Sequence, residues 1–179
     1  IELAQRTGAF DPKALSRLRL AVDSAPFEGA GRVEDTINLL AHAARNLLGL
    51  CAFWLDRRSG EIVEELDLRL VVHGRSVKAM MDIDWSDKSA RALRLQGLYA
   101  EAQRIIAFAR DSHVPELHAE SASSARTVEQ FCAQDLDVAD VVSIRQGVAP
   151  NRRVSVEDAA MRHGRKSASR RFDGYKRHL

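Results

Sequence analysis

The amino-acid sequence predicts a mixed α/β fold in which helix outweighs strand. Near the amino end, apolar residues alternate at a period of two, as in a strand with one buried face. Two long central stretches instead repeat apolar residues at steps of three and four, which is typical of amphipathic helices. Alternation returns near the carboxyl end. The order of these patterns predicts a helical block inserted within a sheet. The length of 179 residues is enough for one ordinary domain.

The first predicted strand covers Arg17–Pro26. Its alternating apolar residues are Leu18, Leu20 and Val22. We expect Pro26 and the glycines at 29 and 31 to end it. Asp23 stands on its last pleat, where a carboxylate at the end of a central strand offers the hard oxygen ligand that Mg²⁺ prefers. The alternative for this residue is an Asx-type turn that stabilises the chain as far as Pro26.

The first predicted helix runs from Arg32 to about Leu55, because its apolar residues recur at helical spacing. Glu34 and Asp35 are expected in its first turn, where their charges favour the positive end of the helix dipole. Ser59-Gly60 is expected to end it. A short helix from Ser76 to about Ile83 follows.

A second long helix is predicted from Lys88 to Arg110, with either Ser86 or Asp87 as its cap. Pro115 is expected to terminate it. Thr127-x-x-Gln130 has capping-box spacing, which predicts one more short helix to about residue 138.

Two short strands joined by a basic turn are predicted at the carboxyl end. The first covers Arg152–Glu157, where Val154 and Val156 face inward, and the second covers Arg171–Leu179. The basic turn between them extends from Met161 to Arg171.

The charge of the chain is divided unevenly. Residues 151–179 carry nine Lys or Arg and three acidic residues, a net charge of +6, whereas residues 1–150 carry −4. This division predicts an anionic partner at the basic end, and a solvated tail is the alternative. In the basic turn, Arg would make bidentate contacts to phosphates and Ser would add neutral donors. The candidate DNA-binding residues are Arg162, His163, Arg165, Lys166, Arg170, Arg171 and Lys176.

Other classes of site are not supported by the motifs. Gly29 and Gly31 follow a strand and precede a helix, but Glu34 stands where a dinucleotide-binding loop has its third glycine. His113 and His118 do not have the spacing of a helical zinc site. Two cysteines are too few for a disulfide framework, and no run of about 18 apolar residues exists to cross a membrane. A reducing cytoplasm fits this composition best.

Three segments together resemble the transposases of bacterial insertion sequences, of the DDE type with an RNase H-like catalytic domain. They are LRLAVDSAPFEGAGRVEDTINLLAHA (Leu18–Ala43), GRSVKAMMDIDWSD (Gly74–Asp87) and IRQGVAPNRRVSVEDAAMRHGRKSASRRFDGYKRHL (Ile144–Leu179). The likeness spans most of the chain and is weaker between about Leu117 and Val142. The last segment is the most distinctive of the three.

The resemblance implies a catalytic site around Asp23. Arg17–Ser24 would be the first strand of the RNase H-like sheet, and Asp23 would be the first acid of the catalytic triad and a ligand of Mg²⁺. Asp158, which follows the predicted second strand, would lie near this site in a supporting or structural role. Such transposases use two Mg²⁺ ions to activate a water and then a DNA 3′-hydroxyl for in-line attack on phosphodiesters.

The resemblance also implies a domain organisation. Residues 1–31 would hold the first strand with its lead-in, residues 32–143 the helical insertion, and residues 144–179 the second and third strands with the basic turn. The second Asp and the Glu of the triad should lie beyond Leu179. We therefore expect a fragment with an incomplete catalytic domain, inactive alone.

The resemblance thus implies a fragment of a DNA transposase that in complete form cuts and joins DNA during transposition. The expected partners are the ends of the insertion sequence and the target DNA, with Mg²⁺ as cofactor and a homo-oligomer as a further expectation. The expected location is the nucleoid of a bacterial cytoplasm, with no membrane contact. Whether this chain is itself an enzyme stays open. The alternative is a non-catalytic helical module that binds a partner or dimerises through its amphipathic helices.

Overall fold

The structure is a computed structural model that describes residues 24–29, 31–71, 77, 81–165, 168–169 and 171–178. In these ranges the helices are α1 (Thr36–Trp54), α2 (Ser59–Glu65), α3 (Lys88–Asp111) and α4 (Pro115–Asp135). The strands are β1 (Ser24–Glu28), β2 (Leu136–Val138), β3 (Val142–Ile144), β4 (Arg162–Arg165) and β5 (Arg171–His178). The fold is a mixed α/β fold dominated by helix, as the sequence predicts.

The first long helix begins later than predicted. Asp35 is its N-cap, and the Asp35 carboxylate accepts hydrogen bonds from two backbone N–H groups of the first turn at 3.1 and 3.2 Å. Glu34 and Asp35 therefore lie before α1 rather than within it. The helix ends at Trp54, and Ser59-Gly60, predicted as its stop, begins α2 instead.

The second long helix is confirmed as α3. Of the two predicted caps, Asp87 is the one used, and its carboxylate accepts from two backbone N–H groups at 2.8 and 3.2 Å. The prediction that Pro115 ends this helix is wrong, because α3 has already ended at Asp111. Pro115 is the first residue of α4, a position where its missing N–H costs no helical hydrogen bond.

A single long helix, α4, replaces the short helix predicted after Thr127. Thr127 lies inside α4, and its hydroxyl donates to the carbonyl oxygen of Ser123, one turn earlier, at 3.1 Å. The capping-box interpretation is wrong because the helix was already under way at Pro115. Residues 136–138 form β2 rather than the end of a helix.

The hydrophobic core lies between α1, α3 and α4, which pack against one another. Its largest wholly buried side chains include Leu39, Leu40, Leu47, Leu98, Ile105, Ile106 and Phe131. Burial of one such side chain contributes about 1.5–3 kcal/mol. The helical block is therefore held together by the apolar stripes that the spacing of its apolar residues predicts.

None of the described helices has the length and apolar character needed to span a membrane.

Two antiparallel sheets accompany the helices. The larger has the order β1-β5-β4, and β2 pairs with β3 in a separate hairpin. Ser24 lies opposite His178 across β1 and β5, and Arg162 lies opposite Gly174 across β4 and β5. Because β1 precedes α1 while β4 and β5 follow α4, the helices are inserted in sequence between strands of one sheet.

The described strand at the amino end extends further than predicted. β1 continues past Pro26 to Glu28 and ends before Gly29. Proline is tolerated because β1 is an edge strand within the described sheet, where a missing N–H need not pair. Asp23 and the rest of the predicted strand before Ser24 lie outside the described residues, as do Ser76 and residues 78–80 of the predicted short helix. Residues 81–83, at the predicted end of that helix, are described and are not helical.

The predicted second strand, Arg152–Glu157, is not a strand. Within the described chain its one ladder contact is an isolated bridge between Arg153 and Arg162. Residues 153–155 are buried in succession, so burial does not alternate as it would in a strand with one buried face. On the side of β5 away from β1, the paired strand is instead β4, which lies inside the predicted basic turn.

Candidate nucleic-acid interface

The predicted basic turn is for the most part a β-hairpin. β4 covers Arg162–Arg165, and the predicted strand Arg171–Leu179 is confirmed as β5 over Arg171–His178. We call residues 162–178 the basic hairpin. Lys166 and Arg170, which lie between β4 and β5 in the sequence, are outside the described residues.

Two arginines face each other at the end of the described hairpin. Arg165 and Arg171 are directly opposite in the register, and both are exposed. Neither makes an ion pair or side-chain hydrogen bond within the part of the chain that the structure describes. Like charges directly opposite on neighbouring strands are destabilising. An anion bound between them would relieve this repulsion, so the arrangement favours a phosphate.

The other candidate cations are partly engaged. The Arg162 guanidinium donates to two carbonyl oxygens of the preceding loop at 2.6 and 2.8 Å. The His163 ring is hydrogen-bonded through Nδ1 to the carboxylate of Asp173, its cross-strand neighbour. Lys176 lies on β5 in the part paired with β1. Compared with Arg162 and His163, Arg165 and Arg171 are therefore more available to a phosphate backbone.

The two aromatic residues of the hairpin have different environments. The half-buried ring of Phe172 covers Gly164 on the opposite strand, where an added Cβ would collide with the ring. Tyr175 is 37% exposed, and its hydroxyl donates to the carboxylate of Asp158. Phe172 therefore packs within the hairpin, whereas Tyr175 joins it to the preceding loop.

Asp158 organises that loop. One of its carboxylate oxygens accepts the backbone N–H groups of Ala160 and Met161, both at 3.1 Å, and the other accepts the Tyr175 hydroxyl. A Cβ added to Gly31 would lie 2.8 Å from the Cβ of Asp158, so this loop packs closely on the segment after β1. These are the contacts of a structural residue. A supporting role beside Asp23 stays a prediction.

A buried ion pair holds the segment that leads into the basic hairpin. Arg152 contacts both carboxylate oxygens of Asp135, at the end of α4, at 2.7 and 2.5 Å. The Thr36 hydroxyl, at the start of α1, donates to the same carboxylate at 3.0 Å. The side chains of Asp135 and Arg152 are 4% and 14% exposed. Arg152 contributes to the basic end in the sequence, but its charge is neutralised inside the protein.

Arg153 has a similar anchoring role. Its backbone pairs with the side-chain amide of Gln134 on α4 at 3.1 and 2.9 Å. Its guanidinium donates to the carbonyl oxygens of Ser155 and Val156 and lies 5.4 Å from the centre of the Phe131 ring. Burial lowers the pKa of Arg153 from its usual value, although a guanidinium remains charged. Local spacing does not mark either arginine as internal, because both depend on contacts with α4: Arg152 with Asp135, and Arg153 with Gln134 and Phe131.

A chain of polar groups joins α1 to the loop before the hairpin. His42 Nδ1 lies 2.8 Å from the buried carboxylate of Glu34, and His42 Nε2 lies 3.5 Å from that of Glu157. The Ser155 hydroxyl donates to Glu157 at 2.9 Å. Burial opposes ionisation of Glu157, but hydrogen bonds from its own N–H and Ser155, with nearby positive charges, hold its pKa below the usual value.

The described residues do not by themselves fit the Mg²⁺ site that the resemblance implies. Among them, no group of three or more His, Cys, Asp or Glu side chains lies close enough to hold a metal ion.

Burial raises the pKa of Cys51 to about 11 and that of Cys132 to about 12, so both thiols stay protonated at neutral pH. His113 and His118 are both exposed.

Comparison with known proteins adds no relative to this picture. No protein-family model, no curated protein and no solved structure matches the chain.

Proposed function

We propose that this chain is the DNA-binding part of a DDE-type transposase and that its basic hairpin lies along the DNA phosphate backbone. The observation that carries the proposal is the exposed pair of Arg165 and Arg171, which face each other without an acidic partner among the described residues. The three segments that resemble bacterial transposases support the family assignment. An RNase H-like catalytic domain belongs to the same proposal, and antiparallel strands around a helical insertion are compatible with it.

Binding of this kind is electrostatic and largely independent of base sequence. Guanidinium groups make bidentate contacts to phosphate oxygens, and each neutralised phosphate releases condensed counterions. Three to five such contacts predict an affinity loss of roughly 50- to 500-fold between about 50 and about 200 mM salt. Arg152 and Arg153 add little to this number, because their guanidinium groups are bonded inside the protein.

The test is the affinity for a short duplex DNA, measured by fluorescence anisotropy at about 50 and about 200 mM salt. The informative variant replaces Arg162, Arg165, Lys166, Arg170 and Arg171 with Gln together. We expect it to lose most of the affinity and most of the salt dependence.

A matched control removes the same charge from the helical block. It replaces five exposed arginines with Gln: Arg58, Arg69, Arg94, Arg110 and Arg126. We expect this control to retain affinity within roughly threefold of the wild type, because long-range charge effects are screened. The proposal is contradicted if the affinity for DNA does not change with salt concentration, or if it falls equally in the basic-hairpin variant and in the helical-block control.

Strand cleavage and transfer by two Mg²⁺ ions belongs to the family proposal, not to the basic hairpin. It requires Asp23 and further acids, whereas the described residues hold no metal-binding cluster. DNA contact is therefore the function that we assign to the hairpin itself.

A protein-interaction module is the second candidate, and one observation favours it. Four apolar residues in and around the β2–β3 hairpin are exposed: Val138, Val141, Ile144 and Val148. The amphipathic helices are less suitable as an interface, because their apolar stripes form the core. If this candidate is correct, partner contacts lie on the β2–β3 hairpin, and neutralising the basic hairpin leaves partner affinity unchanged.

A further inference from the structure

A cavity of about 440 Å³ lies away from the basic hairpin, where the starts of α1 and α3 meet β3. Its apolar lining includes Ile37, Trp85, Leu95 and Ile144. Ile37 and Leu95 are buried, so they provide a fixed apolar wall. The volume, together with a lining that combines this apolar wall with polar side chains, is compatible with a small-molecule site.

Two cations also line this cavity. Lys88 and Arg91 stand in the first turns of α3, three residues apart and so on one face of the helix. Both are exposed, and neither has an ion pair or side-chain hydrogen bond to any other described residue. The amino end of a helix is the positive end of its dipole, so cations there are destabilising. The Asp87 carboxylate caps this end of α3 by accepting the backbone N–H groups of Ser89 and Ala90, and no ion pair joins it to Lys88 or Arg91 in the described part of the chain.

The lining contains one carboxylate, that of Asp35, which is already engaged. Its oxygens accept the backbone N–H groups of Ile37 and Asn38 and the side-chain amide of Asn38. Its charge is therefore directed to the positive end of α1 rather than to the cations of α3. Ser143 and Gln146 add neutral hydrogen-bonding groups to the lining.

We propose that this cavity binds a small amphipathic anion, an apolar or aromatic body that carries a carboxylate or a phosphate. The anionic group lies on Lys88 and Arg91, and the apolar body lies against Ile37, Leu95 and Trp85. A bound anion would place negative charge beside these two cations and near the positive end of the α3 dipole. The inference does not depend on DNA binding, because the cavity uses no residue of the basic hairpin.

The test uses three probes of one shape: 2-naphthoate, 2-naphthyl phosphate and the neutral 2-naphthalenemethanol. Binding is measured by calorimetry and located by NMR shifts of the α3 amides and the Trp85 indole. Trp54, whose indole N–H donates to Glu120, is the internal reference. We expect saturable binding of one or both anions at least about tenfold tighter than that of the alcohol, because charge-assisted bonds are the stronger ones. Comparison of the two anions distinguishes a carboxylate ligand from a phosphate ligand.

The decisive variant is Lys88→Gln combined with Arg91→Gln, and Arg94→Gln on the same helix is its control. Arg94 is exposed but does not line the cavity. The double variant should fold normally, because it removes cations from a positive helix end. We expect it to bind the anions at least about tenfold more weakly, and Arg94→Gln to bind them as the wild type does.

Several results would overturn the proposal. They are the absence of saturable binding, equal binding of the alcohol, unchanged affinity in the double variant, or shifts confined to other parts of the chain. A duplex DNA competitor completes the design. If DNA displaces the anions, and the double variant weakens DNA binding more than Arg94→Gln does, the cavity belongs to a DNA interface and the proposal is wrong.

Discussion

At the scale of single residues, replacement of Arg152 is expected to have the largest effect on stability, because Arg152 forms a buried ion pair with Asp135. Removing Arg152 leaves the Asp135 carboxylate buried without its counter-charge, so we expect Arg152→Ala to cost about 3–5 kcal/mol in the free energy of unfolding. Urea denaturation measures this loss. The control is Arg145→Ala, because the pair of Arg145 with Asp137 is roughly half exposed, and it should cost less than about 1 kcal/mol. Equal losses in the two variants would contradict the assigned role of Arg152.

The contacts of a second residue, Glu157, predict that its contribution to stability depends on pH. A carboxyl group whose pKa is lower in the folded state stabilises the fold above its ordinary pKa of about 4.5 and loses this effect as the pH falls further. Glu157→Gln should therefore lower the unfolding temperature at neutral pH, and the difference should vanish in acid. The side chain is 50% exposed, so the effect is expected to stay below about 1 kcal/mol. A difference that persists unchanged at low pH would refute this explanation.

At the scale of the elements, the packing of the basic hairpin depends on Gly164, because the Phe172 ring on the opposite strand leaves no room for a Cβ there. Gly164 lies beneath the Phe172 ring, so Gly164→Ala should displace the ring, lower the unfolding temperature and weaken DNA binding. Gly49→Ala is the control, since nothing lies within 4 Å of a Cβ added there and alanine stabilises a helix interior by about 0.5–1 kcal/mol. We expect this control to be more stable and to bind DNA normally. Wild-type stability and DNA affinity in Gly164→Ala would contradict the packing argument.

For the whole molecule, the exposed apolar residues of the β2–β3 hairpin predict self-association. Val138 on β2 is 54% exposed and Val148, four residues after β3, is 76% exposed, and exposed apolar surface of this kind marks interaction sites. We expect Val138→Ser combined with Val148→Ser to lower the average mass measured by sedimentation equilibrium at high concentration. Leu93→Ser is the control, because Leu93 is 70% exposed and lies on α3 rather than in the segment from β2 to Val148. An unchanged mass in the double variant, or an equal change in the control, would remove the hairpin as the interface.

The sequence predicts best those elements that a local pattern decides. Helices α1 and α3 follow from apolar spacing, and an Asp caps each of them. Strand β5 is also predicted, but the clearest alternation near it, in Arg152–Glu157, does not produce a strand. The prediction fails at two residues of α4. Pro115 is expected to end a helix but begins one, and Thr127 is expected to begin a helix but lies inside one. Burial of one face along the whole of α4 outweighs those local signals.

The sequence by itself determined the helical block between strands and the position of the basic segment. Tertiary structure decided where the second strand lies and which arginines remain exposed. Arg152 is bound by Asp135, 17 residues away, and that carboxylate also accepts from Thr36, 99 residues away. Such pairs have no signature in local spacing, because they form only when the packing of α1 against α4 brings distant residues together. The charge that the chain can offer to a phosphate is therefore set by its packing as well as by its composition.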